Sequence, residues 1–297
     1  MTVLDSTRVG IVTGPRVPEL TEGGRQLAAE LEARGANAQP VVWPTDDHRD
    51  LDVAVIRSCW DYHERIEDFR AWLDALADAG VAVLNPLAAV RWNVHKFYLR
   101  DLAAAGVSIL ETAFVDAGGD TRLPDVLDER GWEDAVVKPA IGTSSTDTWR
   151  TNRDDAADHQ ERFASMGSDG DLLVQRFAPE IRDGERSLVF FGGAFSHAFR
   201  RDPAAGDFRA HPAFDATITQ YEPAASTIED ASTALAAVDE AVGVAPSALP
   251  YARVDGVLRD GEFVLMELEL VEPWLGLDRV DGASEWLADT IEDALGA

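Results

Sequence analysis

The sequence predicts a parallel α/β domain followed by a larger α+β body. Residues 1 to about 88 alternate short apolar strands with amphipathic helices, which is typical of a parallel sheet covered by helices. Beyond Val115 strand-like segments dominate, and the pairs Gly192-Gly193 and Asp260-Gly261 mark the hairpin turns of antiparallel sheets. The 297 residues are 46% hydrophobic, which is enough to build the cores of more than one domain.

The N-terminal unit contains six predicted elements. Phe69, Leu73 and Leu76 recur at helical spacing, as do Leu27 and Leu31, so each set marks one apolar helix face. We expect strands at Val9–Thr13, Gln39–Trp43, Val53–Arg57 and Val81–Leu84, and helices at Leu20–Arg34 and Ile66–Ala79. Together these elements predict one parallel sheet with helices packed on it.

The rest of the chain begins with a predicted helix at Asn93–Ala105, which ends at Gly106 and carries Lys96 in its first turn. Strand-like segments follow at Ala135–Pro139, Thr146–Arg150, Asp171–Phe177, Arg186–Phe191, Ala194–Arg200, Tyr251–Leu258 and Glu262–Val271. Helices are expected near Leu123–Arg130, Asp154–Ala164 and Ile228–Val242. The mixture predicts an α+β architecture.

The charge balance excludes several classes of partner. Asp and Glu number 54 against 26 Lys and Arg, for a net charge of −28, which would repel nucleic acids and anionic membranes. The acids are scattered, as on the surface of a salt-adapted protein or of an acidic mesophilic enzyme. The N-terminus resembles no secretory signal, no apolar stretch approaches the ~20 residues of a membrane span, and Cys59 has no second cysteine to pair with. We expect a cytoplasmic protein.

Only two lysines, Lys96 and Lys138, occur among the 26 basic residues. One explanation is a coding bias toward arginine, with the two remaining lysines placed by chance. The alternative is that both sites need a compact ammonium group, which the planar guanidinium of arginine cannot replace.

The segment Tyr251–Trp274 concentrates charge on two predicted strands. Alternation places Arg253 and Asp255 on one face of the first strand, and Glu267 and Glu269 on one face of the second. Three converging carboxylates would repel one another unless a cation lay among them, and hard oxygen donors suit Mg²⁺ or Mn²⁺. The alternative is a hairpin whose charged face is solvated.

The segment Ala135–Arg150 has the composition of a phosphate-binding loop. Lys138 ends an apolar strand and is followed by small residues, whose backbone amides and hydroxyls can approach phosphate oxygens. The order of residues is not that of a Walker loop, and Thr13-Gly14-Pro15 is not a dinucleotide fingerprint. An ordinary polar turn is the alternative.

Four motifs occur in order: a lysine opening a helix, then VVKP, LLVQRF and RVD…MELE. Over residues 90–275 this order resembles the ATP-grasp ligases, which include glutathione synthetase, D-alanine–D-alanine ligase and the ribosomal-protein glutamate ligases. The resemblance implies an α/β substrate domain at 1–88 and two ATP-grasp subdomains at 89–175 and 176–297 that grip the nucleotide, with the metal site in the second. RSCWDYHERIEDFRAWL and ELELVEPWLGL look most similar to the D-cycloserine-forming O-ureido-serine cyclo-ligases.

The resemblance also implies roles for individual residues. Lys96 and Lys138 would contact the phosphates of ATP, and Glu185 the ribose. Gln175, Arg176, Phe177 and Ala178 would border the adenine. Asp255, Glu267 and Glu269 would bind Mg²⁺ (or Mn²⁺). Arg253 would steady the transferring phosphoryl group or the acyl-phosphate, and Arg209 would face the triphosphate. The sequence departs from the usual ATP-grasp pattern at three places, and these differences limit which subfamily it can resemble. Glu269 replaces the usual Asn, hydroxyl residues replace glycines after Lys138, and the glycine pair usual after Arg209 is missing.

The acceptor pocket is expected at the end of the third strand of the N-terminal unit, where α/β sheets bind ligands. Arg57 would hold a substrate carboxylate, and Asp61 or Tyr62 would orient an amine. The alternative is that Trp60 and Tyr62 pack the loop and Arg57 pairs with a neighbouring acid.

The predicted function is that of an ATP- and Mg²⁺-dependent ligase, which activates a carboxylate as an acyl-phosphate and joins it to an amine-type nucleophile. The substrate would be a small amino-acid-like molecule, and the reaction can be an intramolecular cyclisation. The alternative is a non-catalytic nucleotide-binding protein of the same fold. A dinucleotide-dependent oxidoreductase is disfavoured because the glycine fingerprint is absent. Homodimers are frequent in the family.

Overall fold

A computed structural model describes residues 3–296 of the chain and contains three β-sheets. The first has strand order β2-β1-β3-β4, and all its pairings are parallel. Its elements are β1 (Arg8–Thr13), α1 (Glu22–Ala33), β2 (Asn37–Val42), β3 (Val53–Ser58), α2 (Ile66–Asp78) and β4 (Ala82–Leu84). The predicted parallel α/β unit is confirmed.

Burial explains how this sheet forms. Every residue of β3 is buried, as expected for a central strand covered on both faces. Leu27 and Leu31 of α1 and Phe69 and Leu73 of α2 are fully buried, so the predicted helix faces are the ones that pack. The side chain of Thr21 accepts a 3.0 Å hydrogen bond from the Gly24 amide and caps α1.

The second sheet has the order β5-β8-β6-β7 and is antiparallel. Its strands and the helices around them are α3 (Leu87–Asn93), α4 (Tyr98–Ala104), β5 (Thr112–Val115), α5 (Leu123–Arg130), β6 (Asp134–Pro139), β7 (Trp149–Asn152), α6 (Gln160–Asp169) and β8 (Leu172–Arg176). Together with the sheet that follows, this one makes the predicted α+β body.

Three predictions in this region were wrong in detail. Asn93–Ala105 is not one helix, because the Lys96 amide donates to Ala140 O at 2.8 Å, and the residues between α3 and α4 form a turn. The helix expected at Asp154–Ala164 begins only at Gln160, after a turn in which the Asp155 amide donates to Asn152 Oδ1. The strand expected at Thr146–Arg150 begins at Trp149, because residues 144, 145 and 147 adopt positive φ.

The third sheet has the order β11-β10-β9-β12-β13 and is antiparallel. Its strands and helices are β9 (Glu185–Phe191), β10 (Ala194–Asp202), β11 (Thr217–Tyr221), α7 (Ala225–Val242), β12 (Ala252–Arg259), β13 (Glu262–Glu269) and α8 (Ala283–Gly296). The hairpin turns at Gly192-Gly193 and Asp260-Gly261 are confirmed, whereas α3, β11 and α8 were not predicted.

Buried hydrogen bonds join the first sheet to the third. The Asn85 side chain donates to Tyr251 O and Leu270 O, each at 2.8 Å. The Tyr251 hydroxyl lies 2.7 Å from Ile56 O and 2.8 Å from Leu84 O. These bonds fix the loop after β13 against the carboxyl ends of the parallel strands. No helix within residues 3–296 is long and apolar enough to cross a membrane.

Candidate active site

A cavity of about 470 Å³ lies between the second and third sheets and reaches the N-terminal unit. Most of the predicted site residues line it: Tyr62, Lys96, Lys138, Gln175, Arg176, Phe177, Ala178, Glu185, Arg209, Arg253, Asp255, Glu267 and Glu269. Arg57 and Asp61 do not line it. The loop after Lys138 covers one side with Thr143, Ser144 and Ser145.

Cross-strand pairing of β12 with β13 brings the predicted charges together. Arg253 lies opposite Glu269, and Asp255 lies opposite Glu267. A β-bulge between Asp255 and Gly256 makes Met266 the extra residue on β13, and this aligns both pairs. A Cβ on Gly256 would lie 2.4 Å from Val264 O, so only glycine permits so close an approach at the bulge.

Arg201 of β10 completes the cluster and was not identified from the sequence. Its guanidinium lies 2.6 Å from both Glu185 Oε1 and Asp255 Oδ2, and its side chain is only 9% exposed. Arg253 donates to Asp255 Oδ1 at 3.0 Å and also pairs with Glu269. The Asp255 carboxylate is therefore held by two buried arginines.

The two lysines differ in their partners. Lys96 Nζ lies 2.7 Å from Glu267 Oε1 and 2.7 Å from Gly142 O. Burial lowers the pKa of Lys96, but the neighbouring Glu267 outweighs burial and raises it. Lys138 is equally buried and makes no ion pair with any residue from 3 to 296, so burial lowers its pKa. Lys138 is a cation without a bound counter-ion.

Burial and the neighbouring arginines shift the pKa values of the carboxyl groups in opposite directions. Burial raises the pKa of Asp255, but Arg201 and Arg253 outweigh burial and lower this pKa to about 2, so the group stays ionised. Burial raises the pKa of Glu185 to about 7 against the pull of Arg201, and that of Glu269 to about 7 against Arg253. Such a mixture of buried acids and bases in a cavity is typical of functional sites.

Comparison with known proteins identifies the architecture. Residues 9–85 match the family model of the N-terminal domain of D-cycloserine synthetase DcsG. The chain is 33% identical over 259 residues to the cycloserine biosynthesis protein DcsG of Streptomyces lavendulae, covering 82% of this chain and 84% of that protein. The chain belongs to the DcsG family of ATP-grasp ligases.

Solved structures agree with this assignment. The crystal structure of D-cycloserine synthetase DcsG superposes with a TM-score of 0.87 at 27% identity, over 97% of this chain and 99% of that one. The D-alanine–D-alanine ligase of Bacillus anthracis in complex with ATP shares the fold, with a TM-score of 0.70 at 18% identity over 98% of this chain and 97% of that one. The prediction of an ATP-dependent carboxylate–amine ligase is confirmed. None of these comparisons favours the alternative of a non-catalytic nucleotide-binding protein.

In this ATP-grasp ligase, the strand end of β8 borders the apolar part of the cavity. Phe177 is 9% exposed, and the Arg150 guanidinium lies 3.9 Å from its ring centre. The Gln175 side chain donates to Thr112 Oγ1 at 3.0 Å, and the Gln175 backbone is paired with both β5 and β6. Arg209 is held by Asp207 at 2.6 Å and stacks on Phe214, so it lies at the rim.

The carboxylates suit magnesium chemically, although they do not form a preorganised cage. No three His, Cys, Asp or Glu residues within the described part of the chain are placed to hold one metal ion. Protein cations contact the oxygens of Asp255, Glu267 and Glu269 instead. Mg²⁺ is commonly held by one or two carboxylates together with substrate phosphates, so the hard oxygen donors fit an ion that arrives with a nucleotide.

Of the three residues expected to bind the acceptor substrate, only Tyr62 lines the cavity. Tyr62 is buried and lines the cavity. The Arg57 guanidinium donates to Pro273 O at 2.7 Å and lies over the Tyr251 ring, so it holds the loop after β13. Asp61 lies 3.4 Å from Trp43 Nε1. Arg57 therefore contacts a backbone carbonyl and not an acid, and neither Arg57 nor Asp61 lines the cavity.

Glu272 is a further cavity residue that the sequence did not reveal as functional. It is 8% exposed, and burial raises its pKa to about 8. It precedes Pro273 and Trp274 in the EPW segment and lies three residues after Glu269, the last predicted metal-binding acid. Because acidic residues are frequent along the whole chain, the sequence alone did not single out Glu272.

The raised pKa of Glu272 predicts a pH-dependent stability. The folded protein keeps this carboxyl protonated up to about pH 8, whereas the unfolded chain loses the proton near its usual pKa of 4.5. Its contribution to stability is therefore complete below pH 4.5 and is lost as the pH rises through 8. Glu272→Gln should flatten the decline of unfolding free energy over this range by up to about 1.4 kcal/mol per pH unit. Urea unfolding of both proteins between pH 5.5 and 8 checks this, and parallel pH profiles would contradict it.

Proposed function

We propose that this ligase binds ATP in the cavity, transfers the γ-phosphoryl group to the carboxylate of a small amino-acid-like substrate, and joins the activated acyl group to an amine-type nucleophile. The observation that carries the proposal is the interleaving of Lys96, Lys138, Arg201 and Arg253 with buried acids along one cavity wall. Such a wall can bind a polyanion and its charge-balancing ions together.

The proposed reaction needs no covalent enzyme intermediate. A carboxylate oxygen of the substrate attacks the γ-phosphorus, the bond to the β–γ bridging oxygen breaks, and ADP leaves. The amine then attacks the acyl carbon, loses a proton and expels phosphate. The protein supplies positioning and charge, which is the main form of catalysis in phosphoryl transfer.

Residues around the cavity would divide these tasks. Lys96, Lys138 and Arg209 would bind the triphosphate, and Arg253 would steady the transferring phosphoryl group. The backbone from Gln175 to Ala178 would border the adenine, and Glu185 would accept hydrogen bonds from the ribose. Lys138 supports this division best, because a buried ammonium group without a counter-ion is stabilised by a bound phosphate.

Asp255, Glu267 and Glu269 would hold Mg²⁺ (or Mn²⁺) together with the phosphates. The ion, when bound, supplies positive charge that offsets the charge of the β- and γ-phosphates. The cations that now contact these acids, Lys96, Arg201 and Arg253, are the groups that phosphate oxygens attract. Phosphate oxygens would therefore compete with the acids for these cations and leave carboxylate oxygens available to hold the metal ion.

The substrate would be a small amino acid derivative, and the reaction would be a ring closure that yields a cycloserine-like product. The likeness to a cycloserine biosynthesis protein and to a D-cycloserine synthetase supports this choice. The proposal also includes three tandem domains with the boundaries given above. It further includes a homodimer and a cytoplasmic location. Light scattering on the purified chain tests the dimer.

Nucleotide binding is tested by thermal unfolding with a non-hydrolysable ATP analogue, in magnesium and then in EDTA. At 100 times its Kd a ligand adds about 2.7 kcal/mol of stability, which is a shift of several degrees. We expect a magnesium-dependent rise that Lys138→Met abolishes without destabilising the free protein, because this buried cation makes no ion pair within residues 3–296.

Arg65→Met serves as the control, since it removes an exposed cation paired with Asp68 outside the cavity. This variant should keep the full shift. An unchanged shift in Lys138→Met would show that this lysine does not bind the nucleotide, and the absence of any shift in the folded wild type would overturn the proposed function.

A further inference from the structure

Glu272 differs from the other acids of the cavity because it has no counter-ion. Asp255, Glu267, Glu269 and Glu185 each contact a lysine or an arginine. No basic group within residues 3–296 lies at ion-pair distance from the Glu272 carboxyl group, whose hydrogen bond comes from its own backbone amide. Its place on the cavity wall leaves it accessible to a ligand.

Three donors from different parts of the fold fix the backbone of the segment that carries Glu272. Trp60 Nε1 donates to Glu272 O at 3.1 Å, and Arg57 donates to Pro273 O at 2.7 Å. Arg253 donates to Trp274 O at 2.9 Å. The carboxylate is therefore presented by a rigid segment, as a preorganised binding group requires.

The surroundings of Glu272 suit an organic cation of small size. Trp60, Tyr62 and Trp274 line the same cavity, and aromatic walls favour cationic groups. The Tyr62 hydroxyl has no hydrogen-bond partner within the described residues and is close enough to Glu272 to be affected by its charge. Lys96 and Arg253 also affect Glu272 electrostatically, which places it beside the proposed phosphate end of the cavity.

Because its raised pKa keeps Glu272 protonated in the free protein, no uncompensated charge is buried there, and a ligand cation would stabilise the ionised form. The nearby protein cations do not pair with it: Lys96 is engaged by Glu267, Arg253 by Asp255 and Glu269, and Arg57, which also senses the charge of Glu272, donates to Pro273 O and makes no ion pair with it. A cation that pairs with the ionised Glu272 would therefore arrive with the substrate.

We propose that Glu272 binds the ammonium group of the substrate and so restricts the ligase to amino acids. The inference rests on the proposed function and adds to it the residue that recognises the ammonium group of the substrate. In an α-amino acid the ammonium and carboxylate groups are carried by the same carbon. An ion pair to Glu272 therefore holds the reacting carboxylate near Lys96 and Arg253, and acids that lack the ammonium group are bound in no fixed position.

The test compares three amino acids with their desamino counterparts in the presence of Mg-ATP. D-Alanine, D-serine and O-ureido-D-serine are paired with propionate, 3-hydroxypropionate and 3-(ureidooxy)propanoate. Hydroxylamine serves as the nucleophile, so that any acyl-phosphate is trapped as a hydroxamate. We expect kcat/KM for the best amino acid to exceed that of its counterpart by about 100-fold or more, the loss typical of one unmatched buried charge.

Glu272→Gln should reduce kcat/KM for the amino acid by about 100-fold, mainly through KM, and leave the desamino acid unaffected. Glu272→Asp should restore part of the preference because it retains the charge. Glu67→Gln removes an exposed acid paired with Arg70 and is the control. The nucleotide-induced thermal shift reports that each variant is folded.

The outcomes separate the two proposals. If wild type forms no hydroxamate from any of the six acids, the proposed function and the role of Glu272 fall together. If wild type accepts both members of a pair equally, the ligase assignment stands and the role of Glu272 is wrong. Retention of the preference in Glu272→Gln overturns that role as well.

Discussion

Asp255→Asn should lower the free energy of unfolding by about 3–5 kcal/mol, the cost typical of removing one member of a buried ion-pair group. Asp255 is the common partner of Arg201 and Arg253, and all three side chains are almost fully buried. An asparagine of the same size leaves both guanidinium groups without their shared negative charge in a largely buried environment. Urea unfolding followed by circular dichroism measures the effect.

A matched control removes the same type of charge from the surface. Asp74→Asn breaks the pair with Arg91, in which both side chains are largely exposed, and should cost less than about 1 kcal/mol. Equal effects of Asp255→Asn and Asp74→Asn would show that the cluster does not depend on Asp255. Because Arg201 loses one of its two acidic partners and keeps only Glu185, Arg201→Met should recover part of the lost stability in the double variant.

The sequence predicted the elements that carry the site better than it predicted their contacts. Apolar alternation identified β12 and β13, and the Asp260-Gly261 turn joined them. Counting outward from that turn, however, pairs Asp255 with Met266 and directs Glu267 to the opposite face. The bulge at Met266 reverses this, and a bulge depends on tertiary packing that one strand's sequence does not contain.

Arg201 was missed for the same physical reason. Counting outward from Gly192-Gly193 pairs Glu185 with Arg200, whereas the structure pairs it with Arg201. The extra residue is Ser196, at a second bulge between Phe195 and His197. Two bulges therefore turn the charged residues of both hairpins toward one cavity.

Lys96 and Glu272 illustrate a different limit of the sequence. Lys96 was recognised by its rarity, but its position was wrong because a distant carbonyl, Ala140 O, takes its amide out of the helix. Glu272 is one of 54 acidic residues, and only its burial and lack of a counter-ion set it apart. Both features arise from the packing of separate sheets, which local patterns do not record.

Glu267→Gln should reduce the rate of ADP formation by about 100- to 1,000-fold, the range found when one preorganised charge is removed from a phosphoryl- or acyl-transfer site. Glu267 has two roles in the proposed mechanism. It holds Lys96 in the cavity at 2.7 Å, and it offers Mg²⁺ a hard oxygen donor. Glutamine keeps the size of the side chain but loses the charge needed for both.

The loss should appear in activity far more than in stability. Lys96 keeps its 2.7 Å hydrogen bond to Gly142 O in the variant and remains close to Glu269, so it is not left without polar contacts. We therefore expect a smaller loss of unfolding free energy than for Asp255→Asn, together with a higher magnesium concentration for half-maximal rate. Glu133→Gln, which removes an exposed acid paired with Arg153, should behave as wild type in a coupled ADP assay. Wild-type turnover at ordinary magnesium in Glu267→Gln would remove Glu267 from the metal site and leave Asp255 and Glu269 to hold the ion.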